Sequence, residues 1–403
     1  MLLLRNAVIA SEHKDMVRAH KDMPRKRRPP PQDRDGGAWR WYALLAAFVA
    51  VLWARTPSAP ARRLERQLQT GREHFEAGNW RDAVAALDLR KHAAALKTDA
   101  ERRRFWPRLH EAAAHRAQSA LRAADLAETA AARRRGIEQA VKLFEAALAM
   151  DENAYTFLDF VYDACRAYWR LGRVEAADAL FEAARSKSDA FPWTTKRQMP
   201  CCGALARLPV EHERPWHAID AYDLTRTLSN HAAVIRAEFS EADLDELVRA
   251  SPEGHGAEFT RDATGRRPWR ELVLYDGEKA GWDAKICEAF PKTCALLRDA
   301  PSLITVPAAA PKPRYCCRVS VLRLAPGARV NVHTAPTNVR LKAHLVLSTP
   351  PGAFLSVAGE RRNYSEDEVL VFDDSFFHAA ENGHETEARY VLSVDFWKPG
   401  LLL

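Results

Sequence analysis

The sequence predicts an α+β multidomain chain, in which an all-α region precedes an antiparallel β domain. Three observations predict it. Residues 60 to about 190 are rich in Ala, Leu, Arg and Glu, with Pro107 the one proline between positions 61 and 191. From Pro215 onward proline and tryptophan become common, and the apolar pattern changes from helical spacing to strand-like alternation. Ahead of both lies a polar basic tail followed by an apolar run at 41–54. The chain of 403 residues is long enough for two to three such units.

The tail carries Arg25-Lys26-Arg27-Arg28 and Pro29-Pro30-Pro31, a composition that cannot bury a core. The apolar run is flanked by Trp39, Trp41 and Trp53 and is shorter than the roughly 20 residues that span a bilayer comfortably. A signal anchor, a cleaved signal and a buried helix are the three readings. The long basic tail and the tryptophans favour the anchor. The basic residues then place the N-terminus in the cytosol and the bulk of the chain in the lumen. Arg55, Arg62 and Arg63 on the far side oppose that bias. The predicted organisation is a tail at 1–38, an anchor at 39–54, a helical domain at 55–212 and a β domain at 213–403.

In the helical region Val141, Phe144 and Leu148 share one spacing, and Ala140, Ala147 and Met150 another. The segments 75–84 and 168–177 both read as the helix–turn–helix joint of a tetratricopeptide repeat (TPR). A weaker copy starts at Gly136, 36 residues before Gly172, against a repeat period of about 34. An irregular helical bundle is the alternative. Either arrangement offers a binding surface or spacer and no catalytic constellation.

In the C-terminal region, strands are expected at 315–324, 341–347, 353–357, 368–372 and 390–396, and Pro326-Gly327 makes a turn. Many short strands between turns predict a sandwich or jelly roll. The net charge of +7 is modest and no basic face is interleaved with aromatics, which argues against nucleic-acid binding. The seven cysteines contain no CxxC pair, which argues against a zinc ribbon.

His333, His344, His378 and Arg389 stand on this scaffold. A non-haem iron(II) oxygenase holds its metal with a facial set, usually HxD plus a distant histidine. Here the first motif reads His333-Thr334-Ala335, so the carboxylate position is an alanine. Asp373 and Asp374 are read as caps of a strand-ending turn. Arg389 opens the last strand, where a guanidinium can pair bidentately with a carboxylate.

The ordered blocks His333-Thr334-Ala335-Pro336-Thr337-Asn338, Arg340-Leu341-x-x-His344-Leu345, Phe372-Asp373-Asp374-Ser375-x-x-His378, Arg389 and Asp395-Phe396-Trp397-x-Pro399 resemble the aspartyl/asparaginyl β-hydroxylase family. The resemblance covers roughly residues 213–403. It implies a double-stranded β-helix of cupin-like type with flanking helices, and an iron(II)- and 2-oxoglutarate-dependent dioxygenase consuming O₂. It assigns the metal to His333 and His378 alone. It assigns the cosubstrate to Arg389, with His344, Lys342 and Leu324 beside it. Lys342 stands where relatives carry an arginine, and loses the planar fork. Leu322 stands where they carry a serine, with Ser320 on the same face of the strand.

The resemblance also implies a Cys287–Cys294 disulfide, and leaves Cys201, Cys202, Cys316 and Cys317 unassigned. The implied reaction is β-hydroxylation of Asp or Asn in protein substrates, epidermal-growth-factor-like domains in animal members. The implied location is the endoplasmic reticulum or secretory-pathway membrane, single-pass, with the catalytic domain lumenal. A lipid or other peptidyl substrate, or a catalytically weak TPR scaffold, are the rival readings.

Overall fold

The computed structural model describes residues 59–398, apart from 89–95, 97–98, 128, 151–157, 188–190, 194, 201–212, 243, 251–268, 278–280 and 305–315. The apolar run at 41–54 and Cys201 and Cys202 lie outside the described residues. Among the described residues, no helix is long and apolar enough to cross a membrane.

The helical part consists of α1 (Ala59–Glu76), α2 (Trp80–Ala86), α3 (Asp99–Asp125), α4 (Ala130–Met150), α5 (Leu158–Arg170) and α6 (Val174–Lys187). The segments 75–84 and 168–177 do form turns between paired helices, α1 to α2 and α5 to α6. Gly78 and Gly172 adopt positive φ there, where a side chain would be strained. The third copy differs, because Gly136 lies inside α4. A Cβ at Gly136 would stand 2.7 Å from the Ala124 Cβ of α3, so the glycine serves close packing of two helices. Val141, Phe144, Ala140 and Ala147 are buried as their spacing predicts, whereas Met150 is exposed at the helix end.

The β part is antiparallel throughout. One sheet runs β1 (Trp216–His217), β9 (Val369–Phe372), β6 (Arg340–Ser348), β11 (Arg389–Trp397), β4 (Arg318–Leu324), β2 (Trp269–Asp276), β3 (Gly281–Trp282). The other runs β5 (Arg329–His333), β10 (His378–Glu381), β7 (Phe354–Val357), β8 (Glu360–Asn363). From β4 onward the chain passes repeatedly between the two sheets, the winding of a jelly roll. Alternation decides the faces. Val319, Val321, Leu341 and Leu345 point outward to a core shared with α7 (Asp223–Asn230), α8 (Ala232–Glu241) and α9 (Pro291–Leu297). Leu322, Leu324, Val346 and Leu370 point inward, against Val330, Leu355 and Val357 of the smaller sheet.

Residues 59–403 form one compact unit. Phe377, immediately before β10, belongs to the helical core: its ring lies 5.8 Å from Tyr162 and 5.6 Å from Trp169, both on α5. Thr334 Oγ1, just past β5, donates to the Met199 carbonyl at 2.9 Å. The helices thus brace the two segments that carry His333 and His378. Cys287 and Cys294 are joined as a disulfide with Cα atoms 5.7 Å apart, and Cys316 is paired with Cys317.

Candidate active site

His333 ends β5 and His378 begins β10, and the antiparallel register places them directly opposite each other. Their ring centroids are 4.1 Å apart. Each Nδ1 is held by a backbone carbonyl two residues earlier: Asn331 O at 2.8 Å from His333, and Phe376 O at 2.9 Å from His378. A carbonyl can only accept, so Nδ1 carries the proton and Nε2 keeps its lone pair. Metal-binding histidines are commonly oriented in this way. Burial, and then the neighbouring His333, hold His378 well below the ordinary imidazole pKa, in the form that can ligate.

Among the described residues, no group of three or more His, Cys, Asp and Glu could hold a metal. Ala335 is buried and contributes only a backbone N–H, donated to Asp374 O at 2.7 Å. The Asp374 carboxylate is taken by Arg340 at 2.9 Å, with Lys342 at 3.8 Å. Asp373 accepts from the Ser375 N–H at 3.0 Å, so the capping role predicted for it is observed. Its other oxygen receives Lys398 Nζ at 2.6 Å, in a wholly buried ion pair. The carboxylates that a sequence scan would offer to the metal are therefore committed elsewhere.

The second feature lies along the inner face of the larger sheet. Arg389 is 2% exposed, and its Nε and Nη1 have no hydrogen-bond partner among the described residues. Its guanidinium stands over the Tyr364 ring at 5.0 Å. Burial pulls its pKa below the ordinary arginine value. His344 is buried on β6, with Nδ1 at 3.2 Å from the Tyr364 hydroxyl and Nε2 unpartnered. Buried polar groups are almost always satisfied, so these orphans mark the place of a missing acceptor. A carboxylate-bearing oxo-acid fits them: anionic toward Arg389 and oxygen-rich toward His344.

A cavity of ≈ 310 Å³ opens along the same face and is lined by Ser320, Leu322, Lys342 and Ser393 among others. Ser320 and Ser393 are cross-strand partners. Lys342, expected beside the cosubstrate, instead bonds Asp395 and approaches Asp374, so its charge is already matched. Leu324 pairs with Arg389 in register and is fully buried among the inward apolar side chains, offering the cosubstrate no polar atom. Sequence reasoning missed Tyr364, which touches both Arg389 and His344. An aromatic in a turn after a short strand gives no signal by itself.

The two facing imidazoles, the orphaned arginine and the jelly-roll winding define a class of proteins. Residues 229–399 match the family model described as aspartyl/asparaginyl beta-hydroxylase. Aspartate beta-hydroxylase domain-containing protein 2 of Homo sapiens is 45% identical over 80 residues, covering 19% of this chain and 22% of that protein. Aspartyl/asparaginyl beta-hydroxylase of Homo sapiens is 34% identical over 137 residues, covering 33% of this chain and 16% of that protein. The match thus spans under a quarter of either relative's length. HygX from Streptomyces hygroscopicus, solved with nickel and 2-oxoglutarate bound, overlaps at a TM-score of 0.26 and 11% identity, over 41% of this chain and 79% of that one. Overlap that low leaves the fold to the strand topology described above.

Proposed function

We propose that this protein is an iron(II)- and 2-oxoglutarate-dependent dioxygenase that hydroxylates the β-carbon of Asp or Asn residues in protein substrates. One observation carries the reading. Two lone-pair imidazoles stand on one sheet, and a buried guanidinium without an acceptor stands on the facing sheet of the same jelly roll.

In this reading His333 and His378 hold the iron and Arg389 grips the far carboxylate of 2-oxoglutarate. His344 meets the chelating end. Iron(II), when bound, supplies the activation of O₂ that couples decarboxylation of 2-oxoglutarate to succinate with hydroxylation. The chain contributes placement. The two backbone carbonyls fix the ring orientations, Tyr364 orients both Arg389 and His344, and α5 keeps the metal-side segments rigid and dry. Lys342 acts through Asp395 and Asp374 and stiffens the turn, rather than reaching the cosubstrate.

The finer assignments belong to the same proposal. Paired helices with glycine joints support a TPR-like substrate platform. The apolar run at 41–54 supports a single-pass anchor with a lumenal catalytic domain. The Cys287–Cys294 bridge suits that oxidising compartment. By family resemblance the substrates are epidermal-growth-factor-like domains. The test is incubation of purified protein with iron(II), 2-oxoglutarate and candidate peptides. Succinate release with a +16 Da change on Asp or Asn supports the reading. Release without peptide modification moves the substrate to another class, and no release removes the enzyme.

A further inference from the structure

A second cavity, of ≈ 430 Å³, lies between the helices and the smaller sheet, lined by Arg133, Arg134, Trp169, Arg170, Arg329 and Phe354 among others. It adjoins the metal-side segments, since Asn331, Val332 and Ala379 also border it. Arg329 and Glu381, alternate residues of β5 and β10, face it from the sheet, and α4 and α5 face it from the other side. Glu381 is the one acidic residue in its lining.

The charges around it do not balance. Arg329 is matched by Glu381 at 2.6 Å, and Arg134 by Glu138 at 3.2 Å. Behind them lies a buried network. Arg122 and Arg166 share Asp163, each at 3.3 Å, and Arg170 pairs with Asp125. Arg133 feels Asp125 only at a distance, and is pushed below its ordinary pKa by burial and by Arg329. Around Asp125 and Asp163, four guanidiniums (Arg122, Arg133, Arg166 and Arg170) meet two carboxylates, and of the four arginines that line the cavity Arg133 alone has no carboxylate partner among the described residues, its Nη2 donating to the Ala127 carbonyl. The excess has a structural trace, because Arg133 Nε and Arg170 Nη2 are buried with no hydrogen-bond partner. Arg170 keeps 5% of its side chain exposed, so solvent hardly reaches it. Uncompensated buried charge is costly, and buried donors are normally satisfied.

We propose that this pocket is a dianion-binding site, distinct from the proposed 2-oxoglutarate site, taking a phosphate or dicarboxylate group on Arg133 and Arg170. Guanidinium forks suit such oxygens geometrically, and Trp169 and Phe354 add apolar walls for the body that carries the group. The cavity is of the size that holds a small ligand. It sits one sheet layer behind His333 and His378, so occupancy stiffens the segments that present them. The site does not depend on the proposed reaction.

The test is calorimetric titration of the full chain with inorganic phosphate and, separately, with malonate. One-to-one binding of phosphate is expected; malonate is titrated into Arg389→Met, where the proposed 2-oxoglutarate site is removed, and the tighter of the two names the source chemistry. Arg133→Met should weaken binding at least about tenfold, the loss of one charged hydrogen-bonding partner. Arg329→Met, at a side chain 58% exposed and safe for folding, should weaken it less but measurably. Arg389→Met should leave phosphate binding unchanged, whereas malonate binding lost in Arg389→Met belongs to the proposed 2-oxoglutarate site and not to this pocket. No binding of either anion overturns the proposal, as does unchanged affinity in Arg329→Met and any folded Arg133→Met.

Discussion

His333 and His378 face each other across two hydrogen-bonded strands, and each gives its Nδ1 proton to the carbonyl two residues before it. The repeated device sets both rings in one tautomer, with Nε2 available. Nothing among the described residues adds a third side-chain ligand at Ala335, which is buried beside the Asp374 carbonyl. Replacing Ala335 with Asp builds the usual HxD set. Iron(II) binding, measured by titration under argon, should be at least as tight as in the wild type. Loss of iron in a folded Ala335→Asp protein would show that position 335 faces away from the metal.

In the proposed reading Arg389 carries the cosubstrate end of the site. Its unpaired donors are complemented only when an anion arrives, so Arg389→Met should raise the 2-oxoglutarate concentration needed for half-saturation steeply. Truncating one partner of a buried charged pair costs roughly 2–5 kcal/mol, about 30-fold or more. Lys342→Met should cost much less, because Asp395 and Asp374 already take that ammonium. Equal losses in the two variants would put Lys342 in direct contact with the cosubstrate.

The helical region reaches the site through Phe377, one residue before His378 and 1% exposed. Phe377→Ala opens a cavity between Tyr162, Trp169 and β10, with an expected loss of about 3–5 kcal/mol of stability. Iron affinity should fall with it, since the His378 turn loses its brace. Denaturant unfolding and metal titration read the two effects separately. A stability loss with unchanged iron affinity would uncouple the helices from the metal site.

His344 gives the pH dependence. Burial first, then Arg389, Lys342 and His378, hold its pKa well below the ordinary value. The unfolded chain therefore takes up its proton at higher pH than the folded chain. The stability this group contributes is full above the unfolded value of about 6.5 and is lost as pH falls below it. The Tm of metal-free protein should drop between pH 7 and 5, and the drop should be shallower in His344→Gln. Parallel curves would mean that His344 is not buried in its neutral form.

Legibility in the sequence followed chemistry more than pattern. The long inner strands β4, β6 and β11 were readable because Val319, Val321, Leu341, Leu345, Leu392 and Val394 alternate with polar or inward residues over seven to nine positions. The strands that carry His333 and His378, β5 and β10, were not. They are four or five residues long, and a register shift interrupts their pairing. Their strand character comes from cross-strand bonds rather than from composition. His333 and His378 could nonetheless be singled out, because histidine spacing and flanking motifs survive without any strand assignment. Hidden from sequence were the pairing of Lys342 with Asp395, the part played by Tyr364, and the surplus of arginine around Asp125 and Asp163. All three depend on contacts between residues distant in the chain.

The most direct measurement is iron-dependent decarboxylation of 2-oxoglutarate by the wild type, His333→Ala and His378→Ala, followed as succinate release with bound iron quantified in the same samples. Turnover in the wild type, with loss of both iron and turnover in each folded variant, is the predicted result. Full turnover in either variant, or a wild type that binds iron and 2-oxoglutarate but releases no succinate, would contradict the account.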